Sequence, residues 1–198
     1  MAIMPKCLVI IPTYNEIENI EKMIGAVLSL PADLHLLIVD DGSPDGTALA
    51  VKQLQTTHKG RLHLLERSGK LGLGTAYITG FKWALAKDYD YLFEMDCDFS
   101  HKPEDLLRLL AACEKGADLA IGSRYCKGGK VHNWPFGRIL MSYFASVYAR
   151  MILWFPVKDT TAGFKCYKRK VLETIPLDKI RFMGYAFQIE MKFAAWKL

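Results

Sequence analysis

The chain has 198 residues, 51% of them hydrophobic, with 26 Lys and Arg against 21 Asp and Glu, a formal net charge of +5 and a pI near 8.9. That length and apolar content suit one domain over 1–198 with a sizeable core, and exclude two ordinary domains. The mild positive charge suits a phosphate-bearing partner but falls short of the dense basic stripe of a nucleic-acid binder, so no nucleic-acid partner is expected.

The first apolar run, Leu8 to Ile11, predicts a strand, and a helix follows from about Glu16 to Leu28. Leu34 to Val39 with a helix from about Thr47 to Thr57 repeats the pattern, as does Leu62 to Leu65 with a helix from about Gly74 to Lys87. Tyr91 to Met95 precedes a helix opened by Pro103-Glu104-Asp105, where proline at a first helical position is followed by acids. A fifth strand is expected at Leu119 to Ile121, an amphipathic helix near 136–155 and a last helix from Ala186. Short apolar strands alternating with helices predict an α/β, Rossmann-like fold, with a mostly parallel sheet covered by helices on both faces. The paired glycines of Lys127-Gly128-Gly129-Lys130 mark the segment expected to be most mobile.

Five cysteines, at 7, 97, 113, 126 and 166, are odd in number and scattered, so neither a disulfide framework nor a Cys-x-x-Cys metal clip is expected, and a reducing cytoplasm fits. The first residues enter a short strand pattern without the long apolar core of a signal peptide.

In a parallel α/β sheet, ligands bind beyond the carboxyl ends of the strands, and here those ends carry the unusual residues. Pro12-Thr13-Tyr14-Asn15-Glu16 follows the first strand, Asp40-Asp41-Gly42-Ser43 the second and Asp96-Cys97-Asp98 the fourth, so acidic tips are expected to converge on one crevice. In extended backbone, side chains two apart point the same way, so Asp96 and Asp98 could face one divalent cation; ordinary turn chemistry at a strand end is the alternative. One of Asp40 and Asp41 is expected to point into the crevice, where it could accept hydrogen bonds from a nucleobase or ribose, while Ser43 and Asp45 suit helix capping. Gly69-Lys70-Leu71-Gly72-Leu73-Gly74 lacks both common phosphate-loop patterns. Arg124, after the fifth strand, suits a pyrophosphate or else a salt bridge to one of the rim acids.

The stretch from Asn133 to Val157 is strongly apolar and aromatic. On a helix, Arg138, Ser142, Ser146 and Arg150 fall at steps of four, drifting about 40° each, and form one polar stripe. Such a helix could lie at a bilayer surface or pack on the domain core. Arg150 in mid-segment and Pro156 near its end argue against a spanning helix. Asp159 could face the crevice or cap a turn.

Taken together, Pro12 to Glu16, Val39 to Thr47, Met95 to His101, Gly122-Ser123-Arg124-Tyr125, Asn133-Trp134-Pro135 with Arg138, and Asp159 to Phe164 resemble, in order, the family 2 glycosyltransferases, and among them the polyprenol (dolichol) phosphate mannose synthases. The resemblance implies a nucleotide-diphospho-sugar transferase fold of the A type (GT-A), with Mg²⁺ or Mn²⁺ on the donor pyrophosphate. It also implies inverting transfer of mannose from GDP-mannose to a polyprenyl (dolichyl or undecaprenyl) monophosphate. Carried over by resemblance, Pro12, Tyr14, Glu16, Val39 and Asp41 hold the nucleoside, and Asp96, Cys97, Asp98 and Arg124 the diphosphate and sugar. Asp98 is then the principal metal ligand beside Asp96, and Arg138 and Ser142 contact the acceptor phosphate.

Two departures from the family's pattern stand out. Ser100 occupies the position of a metal-binding Gln in some members, so a water is expected to replace that contact. The basic C-terminal segment that closes over the donor in the family is not found up to Trp196-Lys197-Leu198. A peripheral place at the cytoplasmic, inner face of a membrane is implied. The alternatives are a related transferase using UDP-glucose or another nucleotide sugar on the same lipid, and a non-catalytic membrane-surface module.

Overall fold

The computed structural model describes residues 4–124 and 136–198, the side chains at 136, 138–143, 145 and 185 excepted. Its elements in chain order are β1 (Cys7–Thr13), α1 (Ile17–Leu28), β2 (Leu34–Asp40), α2 (Thr47–Thr57), β3 (Leu62–Glu66), α3 (Leu73–Leu85), β4 (Tyr91–Glu94), α4 (Asp105–Glu114), β5 (Leu119–Ile121), α5 (Phe136–Leu153), β6 (Lys165–Lys168), α6 (Arg169–Thr174) and α7 (Tyr185–Lys197). The α/β reading and every expected strand and helix are present, most within two residues of the sequence expectation.

The sheet runs β3-β2-β1-β4-β6-β5. Strands β1 to β4 are parallel neighbours, whereas β6 pairs antiparallel with both β4 and β5. This sixth strand has no counterpart in the sequence reading.

Both faces of β1 are buried, and its alternation decides which helices it meets. Cys7, Val9 and Ile11 join a core with Ile20, Met23 and Ile24 of α1, Val51 of α2 and Leu106 of α4. Leu8 and Ile10 face the other way, onto Ala76, Tyr77 and Phe81 of α3 and Phe187 and Met191 of α7. A Cβ built on Gly80 would lie 2.6 Å from Ile10 Cγ2, so this glycine sets how closely α3 lies on β1.

The parallel register brings the carboxyl ends of β2, β1 and β4 side by side, with Thr13 opposite Asp40 and Ile10 opposite Glu94. The reversal of strand order at β1 opens the crevice there. The loops bearing the acidic residues therefore share one rim.

One local expectation is corrected. Strand β4 ends at Glu94, Asp96 follows it in irregular chain, and Cys97 to Ser100 form a bend where Phe99 has a φ of 54°. The period-two argument for Asp96 and Asp98 therefore does not hold. Asp98 Oδ1 accepts the Ser100 amide at 2.9 Å, an Asx turn that explains why the chain leaves the strand here.

Candidate active site

The loop after β1 is fixed by side chains of the loop after β2. The Asn15 amide donates to Ser43 Oγ, the Glu16 amide to Thr47 Oγ1 and the Ile17 amide to Asp45 Oδ2, each at 3.0 Å. These contacts satisfy donors that the start of α1 would otherwise leave open. Asp40 is wholly buried and serves the same scaffold, accepting from Thr13 Oγ1 at 2.9 Å and from the Ser43 amide and hydroxyl at 2.9 and 2.6 Å. Asp41 is the other member of the pair. Its Oδ1 receives Arg67 Nη2 at 2.5 Å and Nε at 2.6 Å, and its Oδ2 the Leu71 amide at 3.2 Å.

Arg67 was not singled out in the sequence, because its place beside Asp41 follows from the register of two strands. Asp40 stands opposite Glu66 in the parallel register, which sets Arg67 beside Asp41 one step on. The same guanidinium donates to Thr75 Oγ1 at 2.8 Å and the Gly72 carbonyl at 3.2 Å, holding the glycine-bearing turn before α3.

Of the other expected nucleoside contacts, Pro12 is half-buried near the end of β1 and Tyr14 is exposed, with the Lys70 ammonium 4.5 Å from its ring centre. Glu16 stands at the N-cap position of α1, where its carboxylate makes no capping hydrogen bond and instead accepts from Asn19 Nδ2 at 3.0 Å. The Val39 side chain lies in the core facing α3, and that of Cys97 in the opposite core, where burial, then the Glu16 and Asp98 charges, push its thiol up to about 12. At these two positions only main chain is left to meet a donor.

Asp96 is the most perturbed carboxyl of the rim. Burial, reinforced by the neighbouring Asp98 charge, pushes it up to about 6. Tyr77, fully buried on α3, donates its hydroxyl to Asp96 Oδ1 at 3.2 Å. Asp98 and Ser100 are exposed. His101 stacks on Phe164 with ring centres 4.7 Å apart, and burial holds its imidazole below the usual range against the pull of Asp98.

Arg124 forms a salt bridge, but its partner is Asp159 rather than Asp41, Asp96 or Asp98. Asp159 Oδ2 receives the Arg124 amide and Nε at 2.9 Å each, and Oδ1 receives Nη2 at 2.5 Å. The same Nη2 reaches Thr161 Oγ1 at 2.7 Å. Burial pushes the Asp159 carboxyl up, and the hydrogen bonds and charge of Arg124 outweigh it, leaving the group below the usual carboxylate range. This settles the place of Asp159, which sequence left open.

Behind the rim lies a buried polar group that sequence reasoning missed. Lys165 Nζ is 2.9 Å from Glu94 Oε1, and Glu94 also receives Tyr167 Oη at 3.0 Å and Gln188 Nε2 at 2.9 Å. Lys165 donates in turn to Gln188 Oε1. Buried charges are satisfied in this way or not tolerated.

On α5, the side chains of Arg138 and Ser142 lie outside the described residues, as do Tyr125, Cys126, the 127–130 segment and Asn133-Trp134-Pro135. In the described half, Ser146 is buried and receives Thr160 Oγ1 at 3.2 Å, whereas Phe144, Tyr148, Met151, Ile152 and Trp154 are exposed. The helix thus turns a serine inward and a line of large apolar side chains outward. Among the described residues no helix is long and apolar enough to cross a membrane.

Known proteins share both the sequence and the architecture. The family model described as glycosyl transferase family 2 matches residues 8–176. A polyprenol monophosphomannose synthase from Mycolicibacterium smegmatis is 48% identical over 190 residues, 96% of this chain and 72% of that protein. An undecaprenyl-phosphate mannosyltransferase from Micrococcus luteus is 45% identical over 98% of this chain and 79% of its own length. A dolichol-phosphate mannosyltransferase from Pyrococcus furiosus is 39% identical, and the chain spans half of its length.

Among solved structures, a mannosyltransferase from Pyrobaculum calidifontis in complex with GDP-Man and Mn²⁺ superposes with a TM-score of 0.60 at 23% identity, over 89% of this chain and 49% of that one. Glucosyl-3-phosphoglycerate synthase from Mycobacterium tuberculosis, in complex with Mn²⁺, UDP-Glc and phosphoglyceric acid, gives 0.66 at 19% identity, over 94% of this chain and 63% of that one. These two show the GT-A fold alone. With the family match over most of its length and relatives near half identity, the chain belongs to glycosyl transferase family 2 and is a glycosyltransferase.

Proposed function

We propose that the chain transfers mannose, with inversion, from GDP-mannose to a polyprenyl monophosphate at the rim formed by the loops after β1, β2 and β4. The observation that carries the chemistry is Asp96, a carboxyl set into the rim with the Asp98 charge beside it and pushed up to about 6 by burial and by that charge. The choice of sugar and acceptor is supported by the relatives of 45–48% identity, whose names state mannosyl transfer to polyprenol or undecaprenyl phosphate.

A divalent cation fits this donor set. Carboxylate oxygens are the hard ligands that Mg²⁺ and Mn²⁺ prefer, and the Asp98 charge raises the Asp96 carboxyl more than the Lys165 charge lowers it, which leaves negative charge for a metal to offset. Asp98 and Asp96 would hold it, with the Ser100 hydroxyl or a water beside them. Among the described residues no group of three or more His, Cys, Asp and Glu is gathered for a metal, which suits an ion held by one or two carboxylates plus donor phosphates. When bound, the ion supplies charge stabilisation to the departing nucleoside diphosphate.

This chain's own residues supply the rest. Pro12, Tyr14, Glu16, Asp41 and the main chain at Val39 and Cys97 would seat the nucleoside and diphosphate, with Arg67 fixing the Asp41 carboxylate. Arg124, its plane set by Asp159 and Thr161, stabilises charge growing on the leaving group. A lipid monophosphate, whose second ionisation lies near pH 6, is already mostly dianionic at neutral pH and needs positioning more than a base. Arg138 and Ser142 would provide that positioning. A single displacement then converts an α-linked donor to a β-linked product.

The exposed apolar line of α5 supports a place at the membrane surface, where the acceptor resides. A helix with large apolar side chains outward and an arginine at Arg150 suits an interfacial position. Incubating the chain with radiolabelled GDP-mannose, UDP-glucose and other nucleotide sugars, plus undecaprenyl phosphate and Mg²⁺ or Mn²⁺, tests the proposal. Labelled lipid is expected from GDP-mannose. Transfer from UDP-glucose instead would reassign the donor, and no transfer with any donor would favour the non-catalytic surface module.

A further inference from the structure

We propose that Lys192 is a positioning residue for sugar transfer, acting through the 159–163 segment on Arg124; this rests on the transfer function proposed above. Lys192 sits on the inner face of α7 with Phe187, Gln188 and Met191, all four buried. Its Nζ donates to the Thr160 carbonyl at 2.8 Å and the Ala162 carbonyl at 2.6 Å. Among the described residues no carboxylate forms an ion pair with it, in contrast to Lys165, which has Glu94.

An amine buried among carbonyls is an expensive way to fill space. A methionine would occupy similar volume without the desolvation cost, so what the lysine adds is its two hydrogen bonds to the carbonyls. Burial, with the nearby Lys165 charge, holds its ammonium well below the usual range, Arg124 acts the same way, and Glu94 and Asp159 oppose them.

The donors fall on alternate residues of one irregular segment. Between and beside the two clamped carbonyls, Asp159 and Thr161 grip the Arg124 guanidinium, and a Cβ built on Gly163 would lie 3.4 Å from Asp96 Oδ2. Thr160 is further tied to Ser146 of α5. One side of the segment is therefore held by α7 and the other presents groups to both halves of the proposed diphosphate site. Backbone carbonyls in a buried irregular stretch need such donors, and without them the segment would reorganise around water or shift.

The test is a double-mutant cycle of Lys192→Met and Arg124→Ala in the full chain, read as kcat and KM for transfer from GDP-mannose to undecaprenyl phosphate. It is paired with amide exchange across 159–163 by mass spectrometry. Lys192→Met is expected to lower kcat about 10- to 100-fold, the range for residues that orient a catalytic group, with KM for the donor changed less than kcat. In the Arg124→Ala background the same substitution should add almost nothing, since the residue it positions is gone. Exchange across 159–163 should rise while that of β4 does not.

If the two losses multiply, or Lys192→Met keeps its full kcat, or 159–163 stays protected, the positioning role is overturned while the transfer function stands. If Arg124→Ala itself transfers at the full rate, the assignment of Arg124 fails and takes this proposal with it. Should Lys192→Met not fold, Lys192→Leu, which also removes both donors, is read in the same cycle with the same outcomes.

Discussion

Lys165 Nζ lies 2.9 Å from Glu94 Oε1, and neither side chain reaches solvent. The pair bridges β6 to β4 at the antiparallel junction of the sheet, directly behind Asp96. Strong Coulombic attraction here is offset by the cost of removing both charges from water, so the pair is not expected to add much net stability. Breaking it is a different matter. Lys165→Met leaves the Glu94 carboxylate buried with only Tyr167 and Gln188 as donors, and should cost about 3–5 kcal/mol, whereas Lys165→Met with Glu94→Gln should recover much of that loss. Urea unfolding of the two variants checks this, and a double variant as unstable as the single one would show that the pair contributes more than mutual neutralisation.

Gly80 tests the close approach of α3 to β1. Alanine normally gains about 1 kcal/mol over glycine inside a helix. Here its Cβ would meet Ile10 Cγ2 at 2.6 Å and Cδ1 at 3.3 Å, and Ile10 is fully buried. Overpacking of that kind costs about 1–3 kcal/mol, so the clash is expected to win. Gly80→Ala should lower the melting temperature, and a rise instead would mean that the sheet yields at Ile10.

The outward face of α5 gives a prediction about binding. Tyr148 is 68% exposed, Met151 72% and Trp154 87%, beside an open groove that also involves Val147, Arg150 and Pro156. If these side chains enter a bilayer surface, the variant Tyr148→Ser, Met151→Ser, Trp154→Ser removes at least a few kcal/mol of apolar burial and should weaken co-sedimentation with anionic phospholipid vesicles at least tenfold. Because the positions are exposed, thermal stability should change little. A variant that sediments as well as the parent would show that the face meets something other than lipid.

Much of this was legible in the sequence, for local reasons. Strands β1 to β3 are short apolar runs with clear turn chemistry between them, and α2 starts and stops where the pattern says. Asp41, Asp96, Asp98 and Arg124 stood out as candidates because chemistry-bearing residues concentrate at strand ends in such sheets, and the structure sets them in the loops there. Strand β6 was not found, because Lys165-Cys166-Tyr167-Lys168 looks like a polar turn until Lys165 is seen to be paired inside the core. The partners Arg67, Asp159 and Lys192 depend on register and on helix packing between distant segments, which no local period encodes. On α5 the pattern was visible but its sense was not: the buried Ser146 shows that the polar stripe includes an inward face.

His35 and His63 share one hydroxyl at the end of the sheet opposite the acidic rim. Tyr89 Oη lies 3.2 Å from His35 Nδ1 and 3.4 Å from His63 Nε2, and the Trp83 ring packs 4.9 Å from His63. Burial holds both imidazoles below the usual range. Lys6 acts the same way on both, Arg61 on His35 and Lys87 on His63, while Asp33 opposes at His35. In the unfolded chain these histidines take up protons near pH 6.5, whereas the folded protein resists until lower pH. The unfolded state therefore binds more protons in that window, so stability is full above about pH 6.5 and declines as pH falls below it. Melting temperatures between pH 7.5 and 5, above the range where most carboxylates titrate, should show this decline. Replacing His63 with Gln, which cannot take a proton there, should make it shallower, and an equally steep limb in that variant would mean that other groups drive the loss.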